Sequence, residues 1–323
     1  MAVGPGFHVD AQGNLHIGST RETFDNTTLS EAPFSVTKAG VLKATSGSFT
    51  GDISGASGTF TGNLTGSTIS GGSINIGSGT FQEKEWDKFI SWLNGNVDYH
   101  KEWIPSPGYL IIAGDAVDGI DSYPGQEADL SITDVWEQYA ELSKSVNRIP
   151  TEIQTVIMPG NHDAVRPAEP QPAIDPELQT DYNNTLFVGN PCDFSLHGVR
   201  VLSYHGVSIM DFVSSLRTVT FETPEEAMKA MIDRRHLAPS WGGKTPLSPE
   251  PEDRLVIQEI PDIFVTGHVH GHHIETYKGV NLIHSSTWQD QTDYQRMLGF
   301  QPKPCILTVV NLHTHATAAI PFV

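Results

Sequence analysis

Six residues of the kinds that bind metals follow apolar runs in this chain. GYLIIAGD at 108–115 ends in Asp115, and TEIQTVIMPGNHD at 151–163 carries Asn161 and His162. VRVLSYHG at 199–206 carries His205, and PDIFVTGHVHG at 261–271 carries His268 and His270. Taken singly, each has an ordinary reading. An Asp after a strand is often a helix N-cap, and a lone His is more often a surface or hydrogen-bonded core residue than a ligand. Coincidence at all four run ends is improbable, because each run also places a Gly beside the ligand-type residue, where backbone can approach closely. Carboxylate, amide oxygen and imidazole together suit Mn²⁺, Fe or Zn²⁺ better than Ca²⁺, with Mg²⁺ as a further candidate. The absence of Cys ligands argues against a purely structural zinc.

The runs themselves read as buried parallel strands, nearly continuous in apolar residues and ending where function collects. DVWEQYAELSKSVNRI, between the first two, has helical periodicity, as does EKEWDKFISWLNGN after residue 82. Strand, helix, strand with acids and amides at the strand ends is an α/β layout.

Upstream the chain has another character. GFHVDAQGNLHIG alternates apolar and polar residues around a turn signal and predicts a hairpin. SGSFTGDISGA at 46–56 is followed by SGTFTGNLTGS at 57–67, an eleven-residue repeat nearly free of charge. One such layer cannot bury its own apolar face, so stacked repeats or identical neighbouring chains are expected. A Gly/Ser/Thr linker is the bland alternative. The expected boundary leaves 1–80 as a β-repeat segment and 81–323 as an enzyme-like domain.

Composition excludes some classes. The 323 residues suggest roughly two domains. With 38 acidic residues against 19 Lys plus Arg, and a formal charge of −19, a global basic field for nucleic acid or membrane is ruled out. Contact with phosphates must then be local. Cys192 and Cys305 form no C-x-x-C pattern. The sequence shows neither a signal peptide nor a transmembrane run, which leaves a cytoplasmic protein or a virion tail component as the expected settings.

GDAVDG, GNHD, YHG and GHVHG resemble, in order and spacing, the motifs of calcineurin-like metallophosphoesterases. GDAVDGIDSYPGQ, PGNHDAVRPAEPQPA, RRHLAPSWGGKTPLSPEPEDRLVIQEIPD and STWQDQT resemble more closely the small, exonuclease subunit of archaeal family D DNA polymerase. The resemblance implies two facing β-sheets flanked by helices, acting on DNA 3′ ends or another phosphodiester beside a large polymerase subunit. It also implies two ions about 3.5–4 Å apart. Asp115 would bridge them, Asn161, His205 and His268 would complete one, and His270 would serve the other. His162 would be the general acid, oriented by Asp118. Arg166 and Lys244 are candidates for phosphate contact, while His272 and His273 look like surface residues. Residues 1–80 resemble tail-fibre and tail-tip repeats of tailed viruses, which implies a homotrimer.

Two departures matter. The family's first motif, an Asp-x-His, falls on GSINIGSGTF at 72–81, where Ser73 replaces the Asp and Asn75 the His. The first ion should therefore bind tightly and the second weakly. The polymerase subunit also carries an oligonucleotide-binding fold ahead of its catalytic core, where this chain has repeats. The competing functional readings are a weakened metal-dependent 3′–5′ exonuclease, a virion structural protein bearing a phosphoesterase-like module, and a chimera.

Overall fold

The computed structural model describes residues 67–98, 107–297 and 299–323, together with the strand segments 6–9, 15–19, 34–36 and 42–44. The chain divides into two units, Met1–Phe60 and Thr61–Val323. In the first, β1 (Gly6–Val9), β2 (Leu15–Ser19), β3 (Phe34–Val36) and β4 (Leu42–Ala44) form an antiparallel sheet in sequence order. Phe7 pairs with Ile17 and Val9 with Leu15, the antiparallel register that the alternation in GFHVDAQGNLHIG predicts. The eleven-residue repeat, and with it the trimer expectation, falls almost wholly on residues outside those described.

The second unit has two sheets. Its first is built from β5 (Ser67–Ser70), β6 (Pro107–Ala113), β7 (Gln154–Met158) and β8 (Thr185–Phe187), all parallel. The other sheet carries β9 (Cys192–Leu196), β10 (Val199–Tyr204), β11 (Ile263–Thr266), β12 (His273–Tyr277) and β13 (Val280–His284) in the order 12-13-11-10-9. In this sheet β10, β11 and β13 run parallel. The chain then returns to the first sheet, where β14 (Ile306–Asn311) pairs antiparallel with β5 and β15 (Thr317–Pro321) forms the edge.

Period-two alternation sorts the apolar side chains of these strands into three layers. Leu110 and Ile112 of β6 face a core shared with α1 (Glu83–Leu93) and α2 (Val135–Val146). Ile111 and Ala113 face a second core between the sheets, with Met158, Val201, Val265 and Ile283. Tyr204, Phe264 and Leu282 face a third core, under α3 (Ile209–Ser215) and α4 (Pro224–Arg234). Strands buried on both faces explain why the runs read as continuously apolar. The two helices predicted from sequence are α1 and α2; Asp134 caps α2 by accepting the Glu137 N–H at 3.0 Å. A fifth helix, α5 (Asp293–Met297), follows β13. Among the described residues, no helix is long and apolar enough to cross a membrane.

The expected boundary at residue 80 is corrected by strand pairing. β5 lies between β6 and β14, and the segment after it is fixed by hydrogen bonds to residues 111–116 and 286. The division falls after Phe60, because the small residues of 67–80 serve close packing inside the second unit.

That segment is anchored by Trp288. Its indole N–H donates to the Gly71 carbonyl at 2.7 Å, and its ring meets Trp86 edge-on at 5.1 Å and stacks on Phe89 at 5.3 Å. Trp288→Ala removes a fully buried ring and orphans that carbonyl. Denaturant unfolding of the full chain should show a loss of about 3–5 kcal/mol, and a loss under about 1 kcal/mol would contradict this anchoring role.

Candidate metal centre

β6 and β7 of one sheet and β10 and β11 of the other end beside one another, and the first turns beyond them carry the ligand-type side chains. His205 is the hub. Its Nδ1–H donates to the Ala113 carbonyl at 2.8 Å, which turns Nε2 toward Asp115 Oδ2 at 3.2 Å and Asn161 Oδ1 at 3.0 Å. Ligand atoms of Asp115, His205 and His268 lie within 4.8 Å of one another. The backbone is bent to achieve this: Asp115, His268 and His270 have φ of 51°, 72° and 49°, a region that non-glycine residues enter at a cost. Two glycines make the convergence sterically possible. A Cβ on Gly160 would lie 2.1 Å from Asp115 Oδ1, and one on Gly114 would lie 2.2 Å from His205 Nδ1.

Charge follows from this geometry. Burial acts to raise the Asp115 carboxyl, but His205 and His162 outweigh it and hold the group well below the usual carboxylate range. Burial likewise opposes charging His205, and Asp115 reverses that balance, pushing the imidazole up to about 9. Burial pushes His268 down to about 3 and His270 down to about 4, so both are neutral imidazoles. The centre thus holds one buried positive charge between two oxygen acceptors, with a neutral imidazole alongside. A divalent cation satisfies the same acceptors in place of that proton. A carboxylate, an amide oxygen and two imidazoles without thiolates fit Mn²⁺, Fe or Zn²⁺.

The neighbouring position, where a second ion was expected, is built differently. Ser73 Oγ is buried without a hydrogen-bond partner among the described residues. Asn75 is fully buried, and its amide is in use: Nδ2 donates to Asp118 Oδ1 at 3.4 Å and Oδ1 accepts from Thr287 Oγ1 at 3.3 Å. His270 Nδ1 accepts from Gln295 Nε2 at 2.9 Å, an amide whose oxygen is fixed by the Thr292 N–H.

His162 stands beside the centre, half-buried. Its Nδ1–H donates to the Asp118 backbone carbonyl at 2.7 Å, while the Asp118 carboxylate is 3.7 Å away. Orientation by Asp118 therefore acts through its carbonyl. The carboxylate is turned instead toward the Gln289, Gln126 and Asn75 amides. Burial opposes a charge on His162, yet Asp115 and Asp118 raise it above its ordinary value.

The structure shows supports that sequence reading gave no role. Asp163 accepts from the Gly160, Ala116 and Val117 N–H groups and from the Tyr139 hydroxyl, tying the loop after β6 to the loop after β7. Gln289 holds Asp118. Asn190 accepts the His205 N–H at 2.9 Å, and its amide reaches Gln171 and Glu169. Asp163 and Gln289 lie inside the motifs GNHD and STWQDQT, which is the signal that could have found them.

Two expected phosphate contacts are not placed at the centre. Arg166 pairs with Glu250 at 2.6 Å and donates to the Pro170 carbonyl, and neither Arg166 nor Lys244 lines the cavity beside Asp115. His272, expected on the surface, is half-buried against Thr308 Oγ1 at 2.9 Å, and His273 lies between Glu225 and Glu275.

Two facing sheets that gather a carboxylate, an amide and imidazoles at their strand ends define a calcineurin-like phosphoesterase fold. The chain belongs to the B-subunit family of DNA polymerases alpha and epsilon, whose sequence profile matches residues 74–274. It is 46% identical over 233 residues to the DNA polymerase II small subunit of Archaeoglobus fulgidus, covering 71% of this chain and 48% of that one. It is 45% identical over 243 residues to the protein of the same name from Methanocaldococcus jannaschii, covering 74% and 41%. The chain thus spans about half the length of the curated relatives it matches. A solved archaeal phosphodiesterase aligns with 79% of this chain and 98% of its own at 10% identity and a TM-score of 0.37, a likeness too distant to bear on activity.

The support behind His205 gives a pH test. Glu169 is fully buried, accepting from the Tyr204 hydroxyl at 2.7 Å, and burial pushes its carboxyl from 4.5 up to about 7. The folded state therefore holds this proton more tightly than the unfolded chain does. Its stabilisation is complete below 4.5 and is lost as pH rises through about 7. Wild type should lose on the order of 3 kcal/mol relative to Glu169→Gln between pH 4.5 and 8, read by denaturant unfolding. Parallel pH profiles for the two proteins would refute the assignment.

Proposed function

We propose that the second unit is a metal-dependent phosphodiesterase acting on DNA ends as a 3′–5′ exonuclease, through a centre that holds one ion tightly and a second weakly. The observation that supports it most directly is the convergence of Asp115 and Asn161 on His205 Nε2, at 3.2 and 3.0 Å, with His268 beside them and His162 at the cavity. Asp115, Asn161, His205 and His268 would hold the ion, for which Mn²⁺ is a suitable choice. When bound, such an ion supplies a Lewis acid for a phosphoryl oxygen and lowers the pKa of water.

The chain's own residues do the rest. The Asp115 carboxylate is fixed by the His162 N–H at 3.0 Å. With Nδ1–H committed to the Asp118 carbonyl, His162 presents Nε2 to the cavity. In the imidazolium favoured by Asp115 and Asp118, that nitrogen carries the proton a departing alkoxide requires. Recognition of phosphate in a chain of charge −19 is then local rather than a property of the whole surface. Pairing with a large polymerase subunit is part of this reading, because the relatives' name describes a small subunit. Co-purification of the two would test it.

Cleavage of a labelled oligonucleotide with Mn²⁺ tests the activity. His162→Ala should lower kcat by about 10²–10⁴-fold. Ser73→Asp combined with Asn75→His should raise the wild-type rate, because it restores an anion and an imidazole at the second position. Absence of any Mn²⁺-stimulated cleavage in both wild type and the double variant would overturn the proposal.

A further inference from the structure

The cavity beside Asp115 and His162, of about 200 Å³, has a wall unlike the rest of the centre. Tyr123 and Tyr294 line it as a stacked pair, with ring centroids 5.3 Å apart and planes at 21°. Tyr123 lies next to His162, centroid to centroid 6.2 Å, so the stack leads outward from the general-acid candidate. Phe221 and Phe300 form a second pair lining the same cavity, in edge contact at 5.8 Å.

Packing accounts for only half of this wall. Phe221 and Phe300 rest on the core under α4, whereas Tyr123 and Tyr294 belong to none of the three cores. Tyr294 is 45% exposed. The pair is nevertheless held in place. The Tyr123 hydroxyl donates to Asp129 at 2.9 Å, and α5, which carries Tyr294, is tied to the centre by Gln295 through His270. Among the described residues that line the cavity, none is Lys or Arg.

We propose that this wall is a nucleobase subsite, in which the terminal base of a single-stranded or frayed end stacks on Tyr294, with Tyr123 backing that ring, while its phosphodiester lies at Asp115 and His162. This rests on the phosphodiesterase reading and adds how the substrate is held and selected. Flat aromatic faces take any base, since every base has a π-face, and they contribute affinity without cationic contacts. A base inside a duplex already has its faces covered and its edge paired, so only an unpaired terminal base reaches the wall without the cost of extrusion. With no cation in the described cavity lining, affinity should depend little on salt, unlike that of proteins that neutralise several phosphates.

The test is a fluorescence titration of a short single strand ending in 2-aminopurine, with Ca²⁺ in place of Mn²⁺ and the full chain as partner. The wall predicts quenching on binding and about ten-fold weaker affinity for Tyr294→Ala. Tyr294→Phe should retain wild-type affinity, and an unlabelled strand with an abasic terminus should compete about ten-fold less well than one with a terminal base. The slope of log affinity against log salt should be shallower than about −2. Equal competition by abasic and base-bearing ends, or unchanged affinity in Tyr294→Ala with unaltered circular dichroism, would overturn the subsite. Failure of the phosphodiesterase reading would appear separately, as no cleavage under Mn²⁺ even when the terminal base binds.

Discussion

A carboxylate buried at the junction of two sheets is the constraint around which the second unit is organised. Asp115 is 1% exposed, and a bare charge at that depth is strongly unfavourable without a counter-charge. His205, delivered from the opposite sheet, provides it at 3.2 Å. That pairing explains why Gly114 and Gly160 must lack a Cβ, and why Asp115 itself adopts a left-handed backbone. The same demand for positive charge makes the centre receptive to a cation. A proton on His205 and a divalent ion are alternative answers to one electrostatic problem.

The core and the centre are mechanically continuous. Trp288 holds Gly71 and Ser73 with its indole and backbone N–H groups. The residues on either side of it, Thr287 and Gln289, reach Asn75 and Asp118. The position of Asn75 is therefore rigidly packed, with the Asn75 and Gln289 amides both committed to the Asp118 carboxylate. Asp118 in turn offers its carbonyl to His162, so the geometry of the general-acid candidate is set by the same aromatic anchor.

The strands and the gathering of ligand-type residues at their ends were legible in the sequence because both obey short-range rules. β6, β7, β10 and β11 are buried on both faces and so read as apolar runs, and the ligand-type residues fall just beyond their ends. The supports were not legible, because their partners are distant in the chain: Gln289 meets Asp118, and Asn190 meets His205. Arg166 could not be assigned from its proximity to GNHD, since Glu250, far along the chain, claims it. The boundary was misplaced because β5 and the turn after it share the small-residue composition of the repeat before them. Only pairing with β6 and β14 tells the two apart.

The central claim is that this centre holds one ion tightly, ligated by Asp115, Asn161, His205 and His268, while the neighbouring position at Ser73 and Asn75 holds a second only weakly. Anomalous diffraction from crystals of the full chain soaked in Mn²⁺ addresses it directly. The account predicts a single strong peak bounded by those four side chains. Two peaks of equal strength, or a peak bound by Asn75 and His270 alone, would contradict it.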